Sequence, residues 1–148
     1  MSHFNRRTFV RLAAVPVVMF LSCASASAHG AFAIGGDTHD SEYGFAAGYA
    51  WDQPTQAQAE AHAMDKCKAY PSNAPDHTNK LCKIVANFQH QWLVIALDPD
   101  RGMTGFGWAL DADLAIAQSK ALAACQASAP ADRKSHCVVG AAQEDKQP

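Results

Sequence analysis

Gly48-Tyr-Ala-Trp-Asp-Gln-Pro-Thr-Gln-Ala-Gln-Ala-Glu-Ala-His-Ala-Met-Asp-Lys-Cys67 is the stretch that decides the fold. Its head alternates large and small side chains, the period of a strand. Pro54-Thr55 then turns the chain, and Thr55 with Gln58 three residues later forms a capping box that opens a helix. Ala59, Ala63 and Cys67 recur every fourth residue, so the helix presents one narrow face of small side chains. The pattern returns as Gly105-Phe-Gly-Trp-Ala-Leu-Asp-Ala-Asp-Leu-Ala-Ile-Ala-Gln-Ser-Lys-Ala-Leu-Ala-Ala-Cys125. An offset of 58 residues superposes Ala59 on Ala117, Ala63 on Ala121 and Cys67 on Cys125. An offset of 57 superposes Gly48 on Gly105 and Trp51 on Trp108, so one residue enters near Leu110.

Working outward, Gly30 to Gly35 reads as a short apolar strand ending in a Gly-Gly turn, and Asp37 to Glu42 as a polar loop. Tyr43 to Trp51 is the first alternating strand. Tyr70-Pro71 ends the helix, and Leu81 to Gln89 is a strand. Trp92 to Leu97 is a buried-type strand, Asp98-Pro-Asp-Arg-Gly102 a hairpin turn, and Met103 to Ala109 the second alternating strand. Asp111 or Asp113 caps a second helix to about Ala127, and His136 to Ala142 is the last strand. The expected fold class is α+β: two pseudo-symmetric β-β-α-β repeats, about 29–90 and 91–142, forming one antiparallel sheet covered by two helices and stapled by disulfides. Residues 29–142 are then a single domain and 143–148 a polar tail.

The first 28 residues read as a cleaved export signal. Arg6, Arg7 and Arg11 precede the apolar run Leu12 to Leu21, which is too short to span a bilayer. Ala-Ser-Ala follows at 24–26 and again at 26–28, which places the cut after Ala28 or after Ala26. Asn5-Arg-Arg-Thr-Phe-Val-Arg11 resembles a twin-arginine signal, and a general secretory signal fits equally. Phe20-Leu-Ser-Cys23 is a poor lipidation box. Three of the 12 basic residues leave with the signal and all 14 acidic ones stay, so the mature chain carries about −5. That balance opposes a nucleic-acid partner, which needs a basic face. No second apolar segment predicts stable membrane insertion. The expected location is periplasmic or secreted.

Four cysteines remain in an oxidising compartment, and four allow three pairings. Cys67 and Cys125 end the two helices, while Cys82 and Cys137 open the strands that follow. The repeat therefore points to Cys67–Cys82 and Cys125–Cys137. Each loop of this size stabilises by about 3 kcal/mol in the chain-entropy picture. Zinc is the rival, but a Cys-x-x-Cys pair is missing.

His29-Gly-Ala-Phe-Ala-Ile, Tyr49-Ala-Trp-Asp-x-Pro-Thr-x-Ala-x-Ala-Glu-x-x-Ala with Cys67, and Cys82-Lys-Ile-Val-Ala-Asn-Phe resemble a family of small secreted bacterial proteins. That family is known as a domain of unknown function, number 4189. The resemblance covers roughly 29 to 142. His29 stands where a tryptophan is usual, and Gln91-Trp92 lacks the extra cysteine of many relatives, which suits two disulfides. The resemblance implies export and the double unit, and no activity.

Two groups of residues are candidates for chemistry. Asp37, His39, Asp40 and Glu42 could hold a divalent cation or supply an acid–base pair, but they lack the spacing of a calcium loop and suit a solvated turn. Asp98 and Asp100, flanking Pro99, read as turn formers. The six mature histidines form no paired metal motif, no nucleophile elbow is present, and no cofactor is expected. The second group is aromatic. If the helices pack on the Gly/Ala face of the strands, Tyr43, Phe45, Tyr49, Trp51, Phe106 and Trp108 point away from them. Exposed, such rings would grip a ligand; buried, they are core. The sequence thus predicts an exported, non-enzymatic binding protein with an unknown protein partner, such as an inhibitor, immunity protein or effector. A module for envelope glycan and a hydrolase using the Asp37–Glu42 loop are the alternatives.

Overall fold

Small and large side chains alternate along the strands, and this alternation builds the molecule. The structure, a computed structural model, describes residues 28–36, 44–72, 74–100 and 105–146. In β1 (His29–Gly35), Ala31 and Ala33 face one way, and Phe32 and Ile34 the other. In β2 (Ala46–Gln53), Ala46 and Ala50 share the first side while Ala47, Tyr49 and Trp51 share the second. Helix α1 (Gln56–Lys68) lies on the small side and buries Ala59, Ala63 and Cys67 there. Thr55 caps it by accepting from the Gln58 amide at 3.3 Å. A helical turn, α2 (Pro75–Thr78), leads into β3 (Lys83–Phe88).

The second half repeats the order with β4 (Trp92–Leu97), β5 (Phe106–Asp111), α3 (Leu114–Ser128) and β6 (Val138–Glu144). Asp113 is the cap of α3, accepting from the Ile116 amide at 3.1 Å. Asp111 instead accepts from the Asp113 amide at 3.0 Å and pairs with Lys120 at 2.8 Å. β6 runs to Glu144, two residues beyond the expected end, and Asp145 after it is buried, so the polar tail starts later than 143.

The expected single sheet is corrected to two three-stranded antiparallel sheets, ordered β2-β1-β3 and β5-β4-β6. Each helix covers the small-residue face of its own sheet. The large-residue faces then bury each other, with Phe32, Phe88, Leu93 and Ile95 at the centre. The result is four layers: α1, first sheet, second sheet, α3. One six-stranded sheet with both helices on one side would leave every large side chain in water. Burial of apolar area, at about 25 cal/mol per Å², favours folding the two large faces together.

Helix and sheet approach so closely that Gly48 and Gly107 have no room for a side chain. A β-carbon on Gly48 would collide with the Ala63 carbonyl and the Cys67 amide. On Gly107 it would meet the Ala121 carbonyl and the Cys125 amide. Gly107, and not Gly105, therefore lies against helix backbone as Gly48 does, two residues beyond the glycine that the sequence offset picks out. The slip of two residues leaves the assignment of faces intact, because side chains alternate with a period of two. Both expected disulfides are present, Cys67–Cys82 and Cys125–Cys137, with Cα atoms 6.1 and 6.0 Å apart.

The chain end ties the halves together. The Asp145 amide donates to the Gln91 carbonyl at 3.1 Å, and the Asp145 carboxylate accepts from the Asp52 amide at 2.8 Å. The Lys146 amide returns a bond to the Asp52 carboxylate at 2.9 Å. Asp52 holds φ at 55°, an αL conformation that Asp tolerates better than most residues.

Candidate functional site

The segment Asn87-Phe-Gln-His-Gln91 leaves β3 at the outer edge of the first sheet. His90 turns it with φ at 53°. The turn at Asp52–Thr55 brings the start of α1 back over β1, so that the Gln56 side chain donates to the Gly30 carbonyl at 3.4 Å. Asn87 donates across to Glu60 of α1 at 2.7 Å. The Gln89 amide nitrogen donates to His29 Nδ1 at 2.6 Å. These elements border a shallow, open cleft of about 450 Å³ lined by His29, Gln56, Asn87, Phe88, Gln89 and Gln91. Phe88 is its only apolar side chain and is itself buried. Each of the four carboxamides offers a donor and an acceptor, and none exchanges a proton near neutral pH.

The aromatic residues do not form an exposed face. Phe45, Tyr49, Trp51, Phe106 and Trp108 are half-buried and pack against the core between the sheets. Phe32 meets Trp108 edge-on with centroids 5.4 Å apart, and Phe45 lies 4.4 Å from Phe106. Their small-residue neighbours face the helices as expected. The second sheet covers the opposite side that the single-sheet reading left open. Tyr49 and Trp51 stack at 5.6 Å on the outer strand β2. Lys66 of α1 reaches around that edge, donates to the Tyr49 carbonyl at 2.9 Å and stands 5.0 Å from the Trp51 ring centre. A lysine satisfying a free strand edge discourages edge-to-edge association. Tyr43 and the cluster Asp37, His39, Asp40 and Glu42 lie outside the described residues.

Asp98 is more than a turn former. It is buried and accepts from Arg133 Nε and Nη2 at 2.8 Å each, and from the Asp100 amide at 3.1 Å. The Arg133 hydrogen bonds hold its carboxyl below the ordinary range, with burial opposing them. Arg133 also pairs with Asp100, and His136 Nδ1 lies 3.9 Å from Asp100. Asp98, Asp100 and His136 could together ligate a metal, but Arg133 already engages both carboxylates, so the group reads as an ion-pair clasp between the β4–β5 turn and the start of β6. Asp145 is the opposite case. One of its oxygens is buried without a partner, and burial raises its pKa, with the Asp52 carboxylate adding to the effect.

Sequence reasoning passed over the cleft, the Arg133 clasp and Asp145. The carboxamides at 87, 89 and 91 are visible in the sequence as three amides within five residues at a strand end. Arg133 and Asp145 carried no local signal.

Fold and groove define a small, disulfide-stapled α+β domain with a shallow, amide-lined groove at the outer strand of the first sheet. The chain belongs to the family that carries a domain of unknown function, DUF4189, whose pattern matches residues 29–143. Neither the curated proteins nor the solved structures yield a match. No helix among the described residues is long and apolar enough to cross a membrane.

Proposed function

We propose that the protein is exported, cleaved near Ala28, and acts outside the cytoplasm as a non-enzymatic binding protein whose ligand is another protein. The observation that carries this reading is the amide-lined cleft beside the outer edge of β3, which among the described residues pairs with β1 alone. A carboxamide repeats the donor and acceptor of a peptide group, and an extended peptide laid on β3 would gain strand pairing along the edge and amide contacts at its end. Two disulfides suit an oxidising compartment. We also infer that the halves are copies of one strand-strand-helix-strand unit, matched through Gly48 with Gly107 and Cys67 with Cys125.

The test is affinity capture by the oxidised mature chain from envelope and culture fractions, compared with the variant Gln89→Arg/Gln91→Arg. One stoichiometric protein, held by the native chain and released by the variant, is the expected outcome. Equal retention moves the interface away from the cleft, and no retained protein in any fraction removes the reading. The half-buried Tyr49–Trp51 stack on the outer strand β2, with Lys66 beside it, supports a second reading, an envelope-glycan module. Peptidoglycan fragments would then quench tryptophan emission in the native chain but not in Trp51→Phe. An unchanged native spectrum eliminates it.

A further inference from the structure

We propose that the Asp52 and Asp145 carboxyls share one proton and form a latch that holds the end of β6 against the turn after β2, closed while the proton is bound and loosened when it leaves. The contacts are reciprocal. Asp145 Oδ1 accepts from the Asp52 amide at 2.8 Å, and Asp52 Oδ1 accepts from the Lys146 amide at 2.9 Å. Asp145 Oδ2 is left buried, with no hydrogen-bond partner among the described residues. The two side chains also interact directly with each other. Two carboxylates offer each other only acceptors and repel, whereas one proton between them supplies the donor that the buried oxygen lacks.

The surroundings set the direction of the switch. Burial disfavours the charged form of Asp145, and the Asp52 carboxylate adds to this. The Asp52 amide and His90, in the turn between β3 and β4, work the other way, and the balance stays with the neutral form. Glu144 and Lys146, on either side of Asp145 in the chain, pair with each other at 3.6 Å. The folded chain therefore holds this proton more tightly than the unfolded chain does. The latch is fully closed in acid and loosens as pH rises through the raised value of Asp145. β6 ends at Glu144, so the segment after it can lift while the sheet stays paired. Lifting breaks the bond from the Asp145 amide to the Gln91 carbonyl, 3.1 Å long. Gln91 lines the cleft and follows His90, which reverses the chain with its φ of 53°. The latch thus fixes one side of the cleft in acid and frees it toward neutral pH, whatever the cleft holds.

The experiment is NMR of the oxidised protein without ligand, following the Asp145 carboxyl carbon and the exchange of single backbone amides from about pH 4 to about pH 8. The carboxyl carbon should titrate above the ordinary aspartate range. Through the same midpoint, protection of the Asp145 and Lys146 amides, corrected for the intrinsic rate, should fall about tenfold, the effect of losing one hydrogen bond. The amides of Ala63 and Ala121, inside the two helices, should stay protected. Asp145→Asn has the shape of the protonated acid: its oxygen accepts from the Asp52 amide and its NH2 donates to the Asp52 carboxylate, so protection should hold across the range. Asp52→Asn, which tolerates the same αL backbone, sets an NH2 beside the ionised Asp145 and should also remove the step. A pair needed only as charged carboxylates would instead lose protection at every pH in both variants. Native protection that ignores pH, or that falls together with Ala63 and Ala121, overturns the latch. So does an Asp145 carboxyl that titrates within or below the ordinary range.

Discussion

Asp98 and Asp145 are both buried, and they respond to acid in opposite directions. Asp98 has a folded pKa below its ordinary value of 3.8, chiefly because Arg133 donates to it. Its contribution to stability is present above that value and disappears as pH falls through the lowered one. Asp145 has a folded pKa above 3.8, chiefly from burial. Its ionisation opposes folding at neutral pH, and the penalty is relieved as pH falls through the raised value toward 3.8. Asp98→Asn should therefore lower the Tm at pH 7 by several degrees, and Asp145→Asn should hold or raise it. Both should approach the native chain in acid. Melting followed by circular dichroism from about pH 3 to about pH 8 checks this. An Asp145→Asn protein that melts lower at pH 7 would show that the ionised carboxylate is needed. Asp145→Ala, which removes the acceptor for the Asp52 amide, should cost about 1–3 kcal/mol. Neither role was legible in sequence. Arg133 is 35 residues from Asp98 and Asp145 is 93 from Asp52, so local patterns record only a turn and a tail.

At the scale of elements the sequence was largely readable, because caps and periodicity are local. Thr55 and Asp113 start the helices, and the stripes Ala59, Ala63, Cys67 and Ala117, Ala121, Cys125 are the buried faces. The repeat misled in one respect. The sequence offset pairs Gly48 with Gly105, whereas it is Gly107 that, like Gly48, packs against helix backbone. A β-carbon on Gly105 would meet Asp98 Cβ at 3.1 Å and Cys125 Sγ at 3.3 Å, contacts that small shifts relieve, while on Gly107 it strikes helix backbone. Gly107→Ala should cost about 3 kcal/mol, at the upper end of overpacking, and Gly105→Ala clearly less. Urea denaturation of both variants decides between the two alignments, and the reverse order would restore the sequence register.

For the whole molecule, the role of the rings turns on the second sheet. Trp108→Ala should destabilise by about 3 kcal/mol, as expected for a cavity between packed sheets. A solvent-facing binding residue would change stability by no more than about 0.5 kcal/mol. Guanidinium unfolding distinguishes the two, and a near-neutral result would return the aromatic residues to the surface. Removing one staple by Cys125→Ser/Cys137→Ser should cost about 3 kcal/mol, from the freedom regained by the unfolded chain.

The sequence by itself determined the strand-strand-helix-strand order, the Thr55 cap and the buried alanine stripes; it pointed to both disulfides and left the second cap between Asp111 and Asp113. Each of these depends on neighbours along the chain or on parity between the repeats. It also determined that large and small side chains take opposite faces. Only the tertiary structure decided what covers the large face. That is a contact between strands far apart in sequence, and the alternating pattern is the same whether water, a ligand or a second sheet lies beyond the rings. The same holds for the cleft: its amides were visible in the chain, but Gln56 and His29 join them only once β1, β3 and α1 are packed.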